Sequence, residues 1–364
     1  MKGRIVAAAA ILLLLLLCAV PAWAALPEEV EDALSPDAQE LLEQLDGETA
    51  DSGTLSKGAA KLWDRACQLL AAEFRSSLRV MVVLLGAVLL YGVAEGSFQA
   101  AGHPLMANFV PLSFVLVITL TAAGDVQTMM GAGTETMEQL DVLSTALLPS
   151  LAAAVAASGG IVSAGVRQVA TVFFANLLMT LIHSVLLPLV YFYVAASAAD
   201  AMLPGNPLKR IASGIKKVVT WALTGALVLF TGYLTISGAA ATSADALTLQ
   251  VTRTVISTAV PVVGGIISQA SGSVLSGAGL LKNSIGIFGM LAVLATCLTP
   301  FLRLAVQYLL YKITAFLAGT AGNGTLVELI DALGSAFGLM LGMVGSCALL
   351  LLISITSSVS VVIP

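Results

Sequence analysis

The chain has 364 residues, of which 58% are hydrophobic and 10% charged, and its mean hydropathy is +1.00. This composition is too apolar for a soluble domain of this length and predicts an integral membrane protein, with the lipid bilayer as its surroundings. The net charge of −5 and the scatter of the sixteen Lys and Arg residues exclude a basic surface of the kind that binds nucleic acid.

The N-terminal segment 1–24 has the pattern of a signal peptide. Lys2 and Arg4 precede the apolar run 5–20, which ends in Pro21-Ala22-Trp23-Ala24. This ending matches the small-x-small sequence that precedes a cleavage site. We predict cleavage after Ala24. An uncleaved signal anchor is the alternative, and in both cases the following residues begin on the non-cytoplasmic side.

Residues 25–76 are a polar block in which acidic residues outnumber basic ones. Ser35-Pro36-Asp37 before the run AQELLEQL predicts a capped short helix with Leu41, Leu42 and Leu45 on one face. That leucine face either docks on a partner or belongs to a solvated linker, and the sequence favours the linker. We therefore expect an acidic extracytoplasmic segment with one short helix.

Residues 77–364 are predicted to form a helical transmembrane domain. None of this part shows the alternating pattern of a membrane β-barrel, so the fold class is an all-α, polytopic membrane protein with about six to eight hydrophobic helices, some kinked or re-entrant. Spans are predicted at 78–94, 106–123, 168–197, 218–238, 284–318 and 334–358, with further apolar segments at 142–166 and 254–281. Two of these spans exceed one bilayer and contain Pro188 and Pro300, where we expect a kink or break.

The stretch from Thr258 to Asn283 is long enough to cross a bilayer but is unusually rich in small and helix-breaking residues. Backbone groups freed by such residues are costly in hydrocarbon unless protein or water meets them, so we expect the stretch to be sheltered from lipid. It is either a closely packed helix or a broken, re-entrant segment that lines a polar path. The candidate pathway or packing residues here are Pro261, Gly264, Gly265, Gly272, Gly277 and Gly279.

The spacing of the prolines suggests a weak internal repeat. Pro149 and Pro188 are as far apart in the sequence as Pro261 and Pro300, and the shift that superposes these pairs also places Gly160 on Gly272 and Gly165 on Gly277. We predict a two-fold repeat, 106–217 and 218–330, followed by a final span at 334–358. Paired Gly/Pro-interrupted segments of this kind indicate the pathway in transporter folds.

The charged loops constrain the topology. If every apolar segment crosses the membrane, the basic loop 198–217 lies outside, against the positive-inside rule. A re-entrant segment at 142–166 corrects this, because it places the acidic loop 125–141 outside and the basic loop inside. The charges therefore favour re-entry.

The sequence contains no hydrolase, metalloprotease or nucleotide-binding motif, and we expect no enzyme activity, catalytic residue, cofactor or metal. The four cysteines, Cys18, Cys67, Cys297 and Cys347, have no paired spacing. Of the two histidines, His183 lies shortly before Pro188 and either relays protons or bonds a neighbouring helix. The second interpretation is favoured.

Ionisable residues at membrane depth are further candidates. Arg303 and Gln307 share a helix face just after Pro300. Arg303 either lines a pathway, or its charged end snorkels to the membrane surface or pairs with backbone carbonyls freed by Pro300. The second interpretation is favoured. Lys282 and Asn283 end the glycine-rich stretch and either contribute to a path or mark the membrane edge.

The run TAVPVVGGIISQASGSVLSGAGLLKNSIGIFG, the signal peptide, the acidic segment and Thr299-Pro300 resemble the stage III sporulation protein AE family of endospore-forming Firmicutes. The resemblance covers most of the chain. It implies a multi-pass protein of the mother-cell membrane around the forespore. There it would act with other stage III sporulation operon proteins and a forespore membrane protein in a channel or feeding-tube apparatus, and it carries no catalytic residue.

Three functional hypotheses follow. The leading one is a membrane component of this transenvelope channel, needed for forespore development after engulfment. The alternatives are a stand-alone secondary transporter of a small solute, with Arg303 and His183 near its site, and an inert membrane anchor or scaffold. Replacing Gly264 and Gly265 with leucine distinguishes a pathway from inert packing.

Overall fold

The computed structural model describes residues 28–43, 52–100, 104–203, 205, 207–259, 264–320 and 324–359. The predicted signal peptide, 1–24, lies outside these residues. Side chains are described for 30–43, 56–97, 110 and 112–203, for 205 and 207–237, and for 277–320 and 324–359.

Within the described residues the chain is helical, which confirms the predicted fold class. The helices are α1 (Glu28–Glu31), α2 (Pro36–Glu43), α3 (Ser52–Ala100), α4 (Pro104–Ala157), α5 (Ile161–Leu181), α6 (Leu187–Met202), α7 (Lys209–Ala259), α8 (Gly264–Gly319) and α9 (Gly324–Val359), with a π-helical turn at Ile182–Leu186 between α5 and α6. Six helical stretches in this part of the chain are long and apolar enough to cross a membrane.

The long helices exceed what a bilayer requires. Helix α8 has 56 residues and is about 84 Å long at 1.5 Å per residue, whereas the hydrocarbon core is about 30 Å thick. The rest of each long helix must therefore lie beyond the hydrocarbon or cross it obliquely.

Helices α8 and α9 pack extensively against each other at the centre of the bundle, and α3 and α4 pack against α8. Helices α5, α6 and α7 form a second group that contacts α9. Helices α5 and α6 form one stretch through the π-helical turn. Short connections make consecutive long stretches antiparallel, and α3 therefore runs parallel to α8. Consistent with this, Gly58 lies beside Leu291 and Ser77 beside Gln307. The ends of α3, α6 and α8 thus lie at one end of the bundle.

Helix α4 corrects the predicted topology. It is continuous from Pro104 to Ala157, so the expected loop at 125–141 is helical, and the segment predicted at 142–166 does not re-enter. The reason is that Val126, Met130, Met137 and Leu140 are buried at helical spacing and carry the apolar face through the acidic region. After α4 the chain turns at 158–160, where Gly159 has a φ of 97° that favours glycine.

The two predicted proline irregularities differ. The π-helical turn Ile182–Leu186 ends just before Pro188, whose missing N–H cannot continue the regular ladder. This confirms a local irregularity in the 168–197 span. Pro300, in contrast, lies inside the continuous helix α8. A break is therefore wrong there, and a kink stays a prediction.

The structure does not support the repeat register in which Gly160 superposes on Gly272. That shift moves the turn at 158–160 onto 270–272, which is inside α8, whereas α7 ends at Ala259 and α8 begins at Gly264. Pro149 lies within α4 and Pro261 lies outside the described residues. What recurs is a pair of consecutive long helices, whose junction falls at a different position from the one that the predicted shift requires.

The polar N-terminal segment packs against its own bundle. Val30, Leu34, Ala38 and Leu41 are buried, and α2 contacts α8. The favoured solvated-linker interpretation was therefore wrong for residues 30–43, because their apolar face covers the surface of α8. The expected domain boundary at residue 76 falls inside α3.

Candidate functional site

The glycine-rich stretch is helical wherever the structure describes it. Gly264, Gly265 and Gly272 lie in the backbone of α8, which continues without a break through Asn283. Pro261 is outside the described residues. The described part of the stretch is thus a continuous α-helix.

The last glycines of this stretch do not pack against the chain. A Cβ atom placed on Gly277 or Gly279 would have no neighbour within 4 Å among the described residues. Leu280 is 70% exposed, so the predicted shelter is not provided by the described part of this chain. Around these positions the described part of the chain leaves α8 uncovered.

Closely packed glycines occur elsewhere in the described chain, and two of them lie in α9, where sequence reasoning missed them. A Cβ atom on Gly334 would lie 3.0 Å from Tyr311 Cβ, and one on Gly338 would lie 2.9 Å from Tyr308 Cδ2. Gly342, one turn further on, faces Leu223 of α7 at an ordinary contact distance of 3.6 Å. The four-residue spacing of Gly334 and Gly338, typical of close helix packing in membranes, is the signal that could have identified them.

Lys282 is buried rather than placed at an exposed edge. It is 6% exposed and lies near Arg167, which is 8% exposed. The Arg167 guanidinium donates to the Ser357 carbonyl near the end of α9, and Thr171 bonds Ser354. These contacts link α5 to α9, while Asn283, the neighbour of Lys282, is exposed.

Arg303 and Gln307 pair with two residues of α3. Arg303 Nε lies 3.4 Å from Glu73 Oε1, and Gln307 Nε2 donates to Ser77 Oγ at 3.3 Å. Because α3 and α8 are parallel, residues four apart on one helix meet residues four apart on the other. The prediction that these two residues share a face is confirmed, and both link α8 to α3.

A polar cavity of about 260 Å³ lies beside this pair, between α2, α4 and α8, and Glu135 is among its lining residues. Ser35 Oγ and Thr296 Oγ1 are 2.8 Å apart, and Thr299 Oγ1 donates to Asp37 Oδ2 at 2.7 Å. Both bonds fasten the N-terminal segment to α8. The predicted short helix near Ser35 thus supplies one wall of the cavity.

The remaining predicted positions do not form a common site. His183 lies half-buried in the π-helical turn, and Pro149, Gly165 and Pro188 are exposed on their helices. Gly160 ends the turn before α5.

A larger cavity of about 600 Å³ lies at the end of the bundle where α6 and α8 end. Lys216 of α7 and Lys312 of α8 project into it, and both donate to Ser335 Oγ of α9, at 3.1 and 2.9 Å. Lys312 also bonds Asp331 Oδ1 at 2.6 Å. The volume of this cavity is within the range of ligand-binding clefts. Sequence reasoning used Lys216 only as a topology marker and missed this lysine cavity.

Among the described residues, no group of three His, Cys, Asp or Glu side chains could hold a metal. Cys67, Cys297 and Cys347 are free thiols. The chemistry offered by the described polar groups is hydrogen bonding and charge pairing.

The fold and these polar features define a polytopic helical membrane protein with polar cavities between its helices. A sequence profile described as "Stage III sporulation protein AE (spore_III_AE)" matches residues 42–361. The chain therefore belongs to the stage III sporulation protein AE family, which confirms the predicted resemblance.

A curated relative, "Stage III sporulation protein AE" of Bacillus subtilis (strain 168), is 24% identical over 241 residues. The match covers 66% of this chain and 60% of the relative. No solved structure matches this chain.

Proposed function

We propose that this protein is a multi-pass membrane component of a channel apparatus between the mother cell and the forespore, acting after engulfment. Family membership carries the proposal, because the profile match extends over nearly all of the long-helix bundle. Its partners would be other stage III sporulation operon proteins and a forespore membrane protein, and its place the mother-cell membrane around the forespore.

The distribution of charge supports a specific orientation. With α4 as one crossing, six crossings that start outside place the connection between α6 and α7 inside, together with Lys209, Arg210, Lys216 and Lys217. This agrees with the positive-inside rule without any re-entrant segment. The turn at 158–160 and the glycine-rich start of α8 then lie toward the outside, where a partner in the intermembrane space could reach them.

Thiol labelling tests this orientation. Two exposed residues at opposite ends of the bundle, Ile161 and Leu203, are each changed to cysteine in a background without native cysteines. With the protein produced in vegetative cells, a membrane-impermeant reagent should label Ile161→Cys in intact protoplasts and Leu203→Cys only after permeabilisation. The reverse pattern would contradict the orientation.

A clean deletion tests the function. Development should stop after engulfment while earlier sporulation stages proceed, and the intact gene should restore spore formation. Normal spores from the deletion strain would overturn the proposal. Reconstitution addresses the transporter alternative, because a purified stand-alone transporter should move a solute across vesicles without any partner.

A further inference from the structure

We propose that the lysine cavity between α6, α7, α8 and α9 binds the phosphate of an anionic phospholipid headgroup. The cavity reaches the surface of the bundle, since its lining includes the exposed side chain of Phe316. Polar and apolar groups both line it, which suits a headgroup with acyl chains attached. The proposal goes beyond the channel function.

The arrangement of the lysines carries the proposal. Lys216 Nζ and Lys312 Nζ both lie within 3.1 Å of the same Ser335 Oγ, so two like charges from different helices converge on one oxygen. The Ser335 hydroxyl itself donates to the Asp331 carbonyl at 3.0 Å. Like charges held this close repel each other, and a bound anion removes that repulsion.

The carboxylates that line the cavity already have other partners. Glu328 pairs with Lys209 at 2.8 Å and Asp331 with Lys312 at 2.6 Å. Asp200 Oδ1 accepts the backbone N–H groups of Leu208 and Lys209 at the start of α7. Within the described residues, Lys216 forms no ion pair and donates to Ser335. Its ammonium is therefore the group on which an incoming phosphate would bind.

The surroundings indicate a lipid as the source of the phosphate. Large apolar side chains are exposed on the helix surfaces at this end of the bundle, including Ile211, Val218, Ile313, Phe316 and Leu317. Basic pockets between membrane helices at the cytoplasmic side bind anionic lipid headgroups. In the orientation proposed above, the cavity lies in the cytoplasmic leaflet, and acyl chains could follow the exposed face beside Phe316.

Native mass spectrometry of the purified full chain tests the proposal, after exchange into nanodiscs of phosphatidylglycerol mixed with phosphatidylcholine. The wild-type protein should retain phosphatidylglycerol in a saturable manner. The affinity should fall about fivefold in Lys216→Gln or Lys312→Gln and roughly thirtyfold in the double variant, from about 1 kcal/mol per basic residue. Lys217→Gln, an exposed lysine outside the cavity lining, is the matched control.

Four outcomes would overturn the proposal. Three are equal retention of both lipids, an equal loss in Lys217→Gln, and full displacement by inorganic phosphate, which would assign the cavity to a soluble anion. The fourth is unchanged lipid retention in the Lys→Gln variants; if these variants also lose a cytoplasmic protein partner, the lysines serve protein binding. The double Lys→Arg variant preserves both charges and should retain the lipid. The melting temperatures of the double Lys→Arg variant and of the Lys→Gln variants are compared in pure phosphatidylcholine. Equal values there show that the variants fold alike, so that a difference in lipid retention reports binding.

Discussion

Two glycine-rich segments of this protein behave in opposite ways. In α9, Gly334 and Gly338 lie against Tyr311 and Tyr308 so closely that no side chain would fit without displacement. At the start of α8, Gly277 and its neighbour two residues on have open space where a side chain would be. The same residue type thus forms close contacts within the chain in the segment around Gly334 and Gly338, and leaves an open surface in the segment around Gly277.

The difference shows that glycine content alone does not identify a packed interface. Gly334 and Gly338 are four residues apart, which puts them on one helix face, and that face lies against Tyr311 and Tyr308 of α8. The described glycines near the start of α8 face no neighbour within the described chain. An open, small-residue surface in a family whose members act in sporulation is a candidate contact for another subunit.

The largest loss of stability is expected when a side chain is added to the face of α9 that packs against α8. Gly334→Leu should destabilise the protein by about 3 kcal/mol or more, since its Cβ would meet Tyr311 Cβ at 3.0 Å and Lys312 N at 3.5 Å, both on or next to the backbone. A lowered melting temperature in detergent and poor accumulation in the membrane would show this. Gly165→Leu, with open space around its Cβ, is the control and should be close to wild type.

A smaller loss of stability is expected from the contact that joins Arg167 of α5 to the end of α9. Arg167→Met removes a buried charged hydrogen bond to the Ser357 carbonyl and should cost about 1.5–3 kcal/mol. This lowers the melting temperature if the α5–α9 contact holds this end of the bundle. Arg210→Met, at an exposed position, is the control. An unchanged melting temperature for Arg167→Met would mean that the contact adds no stability.

Much of the fold could be predicted from the sequence because apolar length is a strong signal for membrane helices. The limits of α4 could not, because the acidic residues between 125 and 141 suggested a loop. Their helix is maintained by buried Met130, Met137 and Leu140, and such tertiary packing overrides local polarity. The predicted proline repeat was misleading for a similar reason, because α8 continues through Pro300 and a proline therefore does not mark a helix end there.

The candidate site was predicted less well than the fold. The shared face of Arg303 and Gln307 followed from helical spacing, but their partners Glu73 and Ser77 belong to α3 and could not be found without the parallel packing of the two helices. The lysine cavity unites helices that are distant in sequence. Local patterns carry no information on such convergence.

A modest effect is expected for the ion pair at mid-bundle. Arg303 and Glu73 are partly exposed, so a double-mutant cycle with Arg303→Gln and Glu73→Gln should give a coupling energy below about 1 kcal/mol. Thermal unfolding of the four proteins in detergent measures it. A coupling of several kcal/mol would instead identify this pair as a principal link between α3 and α8.

The smallest effect on stability, and the sharpest test of the comparison, is expected at Gly277. Gly277→Leu should leave the stability of the isolated protein within about 0.5 kcal/mol of wild type, because the new side chain enters open space. If this face of α8 binds another subunit, the same variant should accumulate normally yet reduce spore formation, and Gly277→Ala should reduce it less. A variant that loses stability would show that the stretch packs within its own chain, and normal sporulation would show that lipid covers it.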